Sequence, residues 1–297
     1  MHRVKLWLGP MRVPFLVLTP ACVLLGLGTA VRAGAGVNWL HFAMALVGAV
    51  CAHISVNAFN EYFDYRSGLD ATTRRTPFSG GSGTLQARED MVGPGLATAW
   101  TTLAITGLIG LSFVFLRGPA ILPLGVLGLL VIYAYTPWLT RSPFLCLVAP
   151  GLGFGPLMVM GVHFALTGAY SWTAFVASLV PFFLVSDLLL LNQFPDVEPD
   201  RGVGRRHFPI LIGRKASSLI YGGFLASAYL SIVAGVALGL LPAICLIGLL
   251  GALLAVPAGV NAFRHSDDVG KLIPSMGMNV LLNLATPVLV GIGLLIA

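Results

Sequence analysis

Apolar residues run along this chain in nine long stretches separated by mostly short polar connections. The stretches cover roughly 13–33, 38–62, 92–116, 119–136, 144–166, 172–195, 217–239, 241–263 and 274–297. Each approaches the length of about 20 residues that an α-helix needs to cross the hydrocarbon layer. Lipid offers the backbone no hydrogen-bond partners, so runs of this length predict helices that satisfy their own N–H and C=O groups. The first run follows a basic N-terminus. It is long enough to span and eight more follow, so it reads as a retained helix and not a signal peptide. Two connections are long and polar, about 63–91 after the second helix and about 196–216 after the sixth.

Composition removes the alternatives to a membrane protein. Of 297 residues, 57% are hydrophobic and 9% charged, against about 25% charged in soluble domains. Mean hydropathy is +0.91. Cys22, Cys51, Cys146 and Cys245 lie far apart in apolar runs, which suggests neither a zinc site nor a disulfide framework. The formal charge of +6 would raise the question of nucleic acid in a soluble protein. Here its distribution sets orientation instead, and no nucleic-acid partner is expected. With the N-terminus cytoplasmic, the inner segments hold Arg3, Lys5, Arg12, Arg66, Arg74, Arg75, Arg88, Arg141, Arg201, Arg205, Arg206, Arg214, Lys215, Arg264 and Lys271. The outer segments hold only Arg32 and Arg117. This is the bias that the positive-inside rule requires.

The two long connections carry the chemistry. The second helix ends in His53, Asn57, Asn60, Glu61 and Asp64, followed by Asp70; positions 53, 57, 60/61 and 64 share one helix face. The sixth ends in Asp187 and Asn192, followed by Asp196, Asp200 and the Arg205–Arg206 pair. A charge within a span costs about 2.5–3.5 kcal/mol on insertion scales. Acids gathered at two helix ends, in a chain with eleven in all, therefore need a reason. One is an interfacial face solvated by water. The other is diphosphate binding through Mg²⁺, which takes one or two carboxylates together with phosphate oxygens and water, with nearby arginines forked onto phosphate. Asn60-x-x-x-Asp64, Asp70 and Arg74–Arg75 parallel Asn192-x-x-x-Asp196, Asp200 and Arg205–Arg206. The expectation is one domain over 1–297 made of two pseudo-repeated halves, with motif 1 at about 57–70 and motif 2 at about 192–205.

With these paired motifs in view, the chain resembles the UbiA superfamily of intramembrane prenyltransferases over essentially its whole length. The resemblance implies an all-α polytopic bundle of about nine transmembrane helices around a central cavity open to lipid. It implies a metal site of Asn60, Glu61, Asp64, Asp70, Asn192, Asp196 and Asp200, with Arg201 and Arg205 near the diphosphate. The Met11-Arg12-Val-Pro14 stretch also resembles the family, placing Arg12 at the polar pocket with Asn57. Tyr133, Tyr135 and Arg141 fall in a segment resembling the family's tyrosine-and-lysine stretch after the fourth helix. Two positions depart from it: Glu61 where Asp is common, and Arg141 where Lys is common. The glycine-rich run Arg75–Gly83 looks most like the menaquinone-type branch; its glycines could bring backbone N–H groups to a phosphate.

The expected reaction is Mg²⁺-dependent transfer of a prenyl group from a polyprenyl diphosphate to an aromatic acceptor, 1,4-dihydroxy-2-naphthoate in menaquinone biosynthesis, at the cytoplasmic face of the inner membrane. Asp64 and Asp196 would act at the centre. Tyr62, Phe63, Tyr65, Tyr133 and Tyr135 are candidates to face an allylic cation or to serve as packing aromatics. Asp187, inside the membrane, either faces the cavity as the acceptor's base or bonds a neighbouring helix. His53 reads as a packing residue, with substrate contact the alternative; His163 is expected to lie away from the chemistry. Asn279, Asn283 and Thr286 read as helix–helix hydrogen-bonding residues. Competing readings are a terpene cyclase on the same scaffold, another acceptor, a transporter and a membrane alcohol phosphotransferase.

Overall fold

In the computed structural model, which describes residues 8–297, the chain is helical throughout with no strand among those residues. Arg3 and Lys5 lie outside the described residues. The helices are α1 (Val13–Arg32), α2 (Trp39–Ser67), α3 (Glu89–Arg117), α4 (Pro119–Ala134), α5 (Pro143–Thr167), α6 (Trp172–Asn192), α7 (Gly213–Ala237), α8 (Ala243–Arg264) and α9 (Val269–Leu295). Eight are long and apolar enough to cross a membrane; α4 is shorter. Sequence boundaries agree within a few residues except at α2, which continues five residues past its expected end, and at α9, which starts five residues before its expected start. Polarity does not stop α2. Gly68 does, adopting φ 75° as the left-handed residue after Ser67. All of Asn57, Asn60, Glu61 and Asp64 thereby stand on regular helix.

Local chemistry explains the other ends. The Asn38 side chain accepts from the His41 N–H at 3.1 Å at the start of α2, and Ser171 accepts from Ala174 at 3.0 Å at the start of α6. Asp268 caps α9 through the Lys271 N–H at 3.2 Å. Such caps satisfy donors that the helix leaves open. Within α5, residues Gly153–Leu157 form a π-helical turn, a local break that is frequent at functional sites.

The bundle closes on itself because α9 packs on α1 as well as on α6 and α8. Apolar driving force between helices is absent in lipid, so close contact depends on small residues and interhelical hydrogen bonds. A Cβ built on Gly28 of α1 would lie 2.8 Å from the Gly291 carbonyl oxygen of α9. Asn283 donates to the Leu184 carbonyl at 3.0 Å and Thr286 meets the Tyr229 hydroxyl at 3.4 Å. Asn283 and Thr286 thus take the helix-joining roles expected of that face, whereas Asn279 bonds only Asn283 of its own helix, its amide N–H group buried without a partner among the described residues. His163 meets Thr29 at 3.0 Å, away from the cavity. Gly28→Ala should therefore lower the thermal midpoint in detergent, since overpacking costs about 1–3 kcal/mol. Gly222→Ala, with nothing within 4 Å of its added Cβ, should leave the midpoint unchanged or raise it.

Candidate active site

One cavity of about 630 Å³ runs through the bundle between α2, α3, α4, α5 and α6, with α1 and α9, the latter through Val280, Asn283 and Leu284, completing its wall. Along α2 its lining extends from Ala45 to Asp64, about 28 Å at 1.5 Å per residue. Its greater part is apolar, with many small residues: Gly48 on α2, Gly107 and Gly110 on α3, Gly125 and Gly128 on α4. Its polar end lies where α2 and α6 finish.

There the two acidic motifs meet. Asp64, Asp70, Asp196 and Asp200 all line the cavity, with Asn57, Asn60 and Asn192. Arg205 joins the motifs: one guanidinium nitrogen pairs with Asp64 and another with Asp200 at 3.0 Å. The second Asp200 oxygen faces His207 Nε2 at 2.9 Å. The segment carrying these residues is pinned by the Arg206 N–H, which donates to the Thr140 carbonyl at 2.9 Å. Asp64 and Asp200 are buried. Carboxylates so far from water require an opposite charge nearby, and Arg205 supplies it to both.

The other two acids are less compensated. Asp70 accepts from Gln86 at 2.8 Å and Asp196 from the Ser79 hydroxyl at 3.4 Å. Burial, reinforced by Asp64 and Glu61, pushes the Asp70 carboxyl up to about 6. Burial, with Asp200 beside it, pushes Asp196 up to about 7. Both therefore sit where added positive charge is favoured.

The donor set fits a hard divalent cation. Four carboxylates and the amide groups of Asn60 and Asn192 offer oxygen, and no thiolate is among them. Asn60 uses its N–H to reach Thr136 at 3.1 Å, leaving its carbonyl oxygen free for the cavity. The Asn192 carbonyl oxygen is buried with no partner among the described residues. No group of three His, Cys, Asp or Glu among those residues forms a closed metal cage. An open set of this kind suits Mg²⁺, which completes its shell with phosphate oxygens and water.

Several sequence expectations are corrected. Glu61 does not line the cavity; its Oε1 accepts from Arg12 at 2.7 Å and the Ser82 N–H at 2.8 Å, and its Oε2 from the Ser82 hydroxyl at 2.7 Å. With both oxygens engaged, it anchors the glycine-rich loop. Arg201 is exposed and pairs with Glu198 at 3.0 Å, and Arg141 is exposed and off the cavity. Tyr133 packs against Phe59 and Trp100, ring centroids 5.4 Å from each. Of the five aromatic candidates only Tyr135 lines the cavity. Asp187 is fully buried outside the cavity lining, with neither oxygen partnered among the described residues, on the side of α6 near Tyr221. Its expected role as a cavity base has no support in this placement. Arg12, Asn57 and Arg205 stand at the cavity as expected, and Asn57 donates to the Met11 carbonyl at 3.0 Å.

The loop after α2 contributes more than its sequence reveals. Phe78, Ser79, Gly80 and Gly81 line the cavity. Gly81 has φ 71°, and a Cβ there would lie 2.9 Å from both Asp70 oxygens, so glycine is required by both backbone and space. Ser79, Ser82, Gln86 and His207 each hold a motif residue; the first two fall in the glycine-rich run singled out in the sequence, while nothing in their spacing marks Gln86 and His207 beforehand.

Comparison with known proteins agrees with this geometry. Residues 19–273 match the UbiA prenyltransferase family. A 1,4-dihydroxy-2-naphthoate octaprenyltransferase of Bacillus subtilis is 28% identical over 268 residues, covering 88% of this chain and 83% of the relative. A Mycobacterium tuberculosis protein of the same name is 27% identical over 280 residues, covering 90% and 89%. The fold matches a UbiA homolog from Archaeoglobus fulgidus bound to GPP and Mg²⁺ with a TM-score of 0.64, at 14% identity, covering 98% of this chain and 100% of that one. With its helices, its cavity and both acidic motifs in place, the chain belongs to the UbiA prenyltransferase family.

Proposed function

We propose that this chain transfers a prenyl group from a polyprenyl diphosphate to 1,4-dihydroxy-2-naphthoate, in a Mg²⁺-dependent step of menaquinone formation. The carrying observation is the meeting of acids from two distant helix ends at the polar end of one otherwise apolar cavity. The acceptor is supported by the two relatives named for that substrate.

In this reading Asp64, Asp70, Asp196 and Asp200, with Asn60 and Asn192, hold the metal. Bound Mg²⁺ would neutralise the diphosphate and make it a better leaving group. Arg205, already between the motifs, offers a planar fork to phosphate oxygens, and Arg12 lies at the same end. The apolar lining takes the prenyl tail, whose burial contributes about 0.8 kcal/mol per CH₂. The same walls keep water from an allylic cation, and Tyr135, the one of the five candidate aromatics that lines the cavity, is proposed to face it. The chain is read as one domain of two pseudo-repeated halves, each supplying one motif. The distribution of basic residues supports a cytoplasmic N-terminus and an active site at the cytoplasmic face of the inner membrane.

The test is turnover of the full chain in nanodiscs with geranylgeranyl diphosphate, Mg²⁺ and 1,4-dihydroxy-2-naphthoate, read by mass spectrometry. A prenylated naphthoate abolished by EDTA is expected. Asp64→Asn or Asp196→Asn should each lower turnover by more than about 100-fold, beyond the loss typical of outer-shell groups. Arg141→Ala and Arg201→Ala should stay within about twofold, as exposed surface changes do. A terpene formed without acceptor would replace transfer with cyclisation, and metal-independent product would contradict the reading.

The pH dependence follows from Asp196 near 7 and Asp70 near 6. Metal requires the ionised carboxylates, so protons compete as pH falls through 7 and then 6. The half-saturating Mg²⁺ concentration should be higher at pH 6 than at pH 8. A flat profile would exclude these two acids from the metal site.

A further inference from the structure

The cavity has a second polar position, deeper than the carboxylates. His53 of α2 is buried yet lines the cavity, four residues below Asn57, about 6 Å by helix rise. Its Nδ1 meets the Thr19 hydroxyl of α1 at 2.8 Å. Thr19 is fully buried and makes no other hydrogen bond among the described residues. Its proton therefore goes to Nδ1, which leaves the ring N–H on Nε2. Nε2 has no partner among the described residues.

The wall beside it has been built to meet that ring. Phe154 stands edge to face with His53, centroids 4.7 Å apart and planes at 81°, and it also lines the cavity. Phe154 belongs to the π-helical turn of α5. Next to it Gly155 lies so close to α6 that an added Cβ would stand 2.5 Å from the Ser178 carbonyl oxygen. The turn thus holds an aromatic face and a hydrogen-bond donor side by side. The rise from His53 to Asp64 is eleven residues, about 16 Å. That leaves room for a diphosphate at the carboxylates and one flat bicyclic ring beneath it.

We propose that His53 binds the aromatic acceptor, donating from Nε2 to a ring hydroxyl oxygen while the ring packs on Phe154, with Thr19 as the residue that positions the imidazole. This rests on the prenyl-transfer reading and adds the acceptor's place within it. The class of ligand is a flat hydroxyarene. A ring without the hydroxyl keeps the Phe154 contact and loses the hydrogen bond.

The experiment is equilibrium binding of two ligands, 1,4-dihydroxy-2-naphthoate and 2-naphthoate, to the full chain in nanodiscs. Wild type should prefer the hydroxylated ligand. His53→Phe fills the same space beside Phe154 and should weaken binding of the dihydroxy ligand about tenfold, the scale of one lost hydrogen bond, while leaving 2-naphthoate unchanged. His53→Gln, which keeps an N–H donor, should restore most of the preference. Thr19→Val leaves the ring but frees its tautomer, and should give the same selective loss at a smaller factor. A packing role would weaken both ligands alike, and that result overturns the proposal, as does a wild type that fails to bind or prefer the hydroxylated ligand. The prenyl-transfer reading falls on a different result, the absence of Mg²⁺-dependent pyrophosphate binding in the same preparation, and the naphthoate comparison still decides on His53.

Discussion

The half-buried Arg205, held between the buried Asp64 and Asp200, is the interaction on which the site depends. Carboxylates at the mouth of a membrane cavity are costly without a counter-charge, and removing one partner of such a cluster leaves a buried charge uncompensated. The arrangement reaches well beyond three residues. His207 holds the far oxygen of Asp200, and Arg206 ties the segment to Thr140 beside α5. On the other side of the cavity, Arg12 and Ser82 hold Glu61, bringing the N-terminal entry and the glycine-rich loop to the end of α2. Five segments far apart in sequence are fixed around one small volume by charge and hydrogen bonds.

The remainder of the cavity is shaped by the absence of side chains. Glycines on α2, α3 and α4 widen it, and the bundle closes through α9 on α1 where Gly28 meets Gly291. The short α4, with Ile121 at its start its one buried residue, forms a thin wall. A polar end that holds charge and an apolar length that holds a tail suit a substrate with the same division.

Much of this was legible. Hydropathy located each of the nine long helices, because lipid permits a long apolar run no other structure, but not the short helical turns of the two polar connections. The acids of both motifs stood out because their cost in a membrane demands a function. What spacing could not reveal was competition for each side chain. Glu61 shares the motif face of α2, yet Arg12 and Ser82 occupy both of its oxygens. Arg201 sits beside Asp200 in sequence but turns to Glu198 at the surface. Asp187 is a different case, since its phase was readable. It lies five residues from Asn192, about 140° around the helix at 3.6 residues per turn, whereas Val185, Leu188 and Leu189 share the cavity face with Asn192. The end of α2 was misread because polarity suggested a loop, while the conformation of Gly68 sets the stop.

The central claim is that the two motifs form a single diphosphate site, neither being sufficient alone. Calorimetric titration of the full chain in nanodiscs with pyrophosphate, with and without Mg²⁺, tests it directly. The account predicts one pyrophosphate bound per chain, only with Mg²⁺, and loss of that binding on Asp64→Asn alone as well as on Asp196→Asn alone. Wild-type affinity in either single variant, or two independent pyrophosphates per chain, would contradict it.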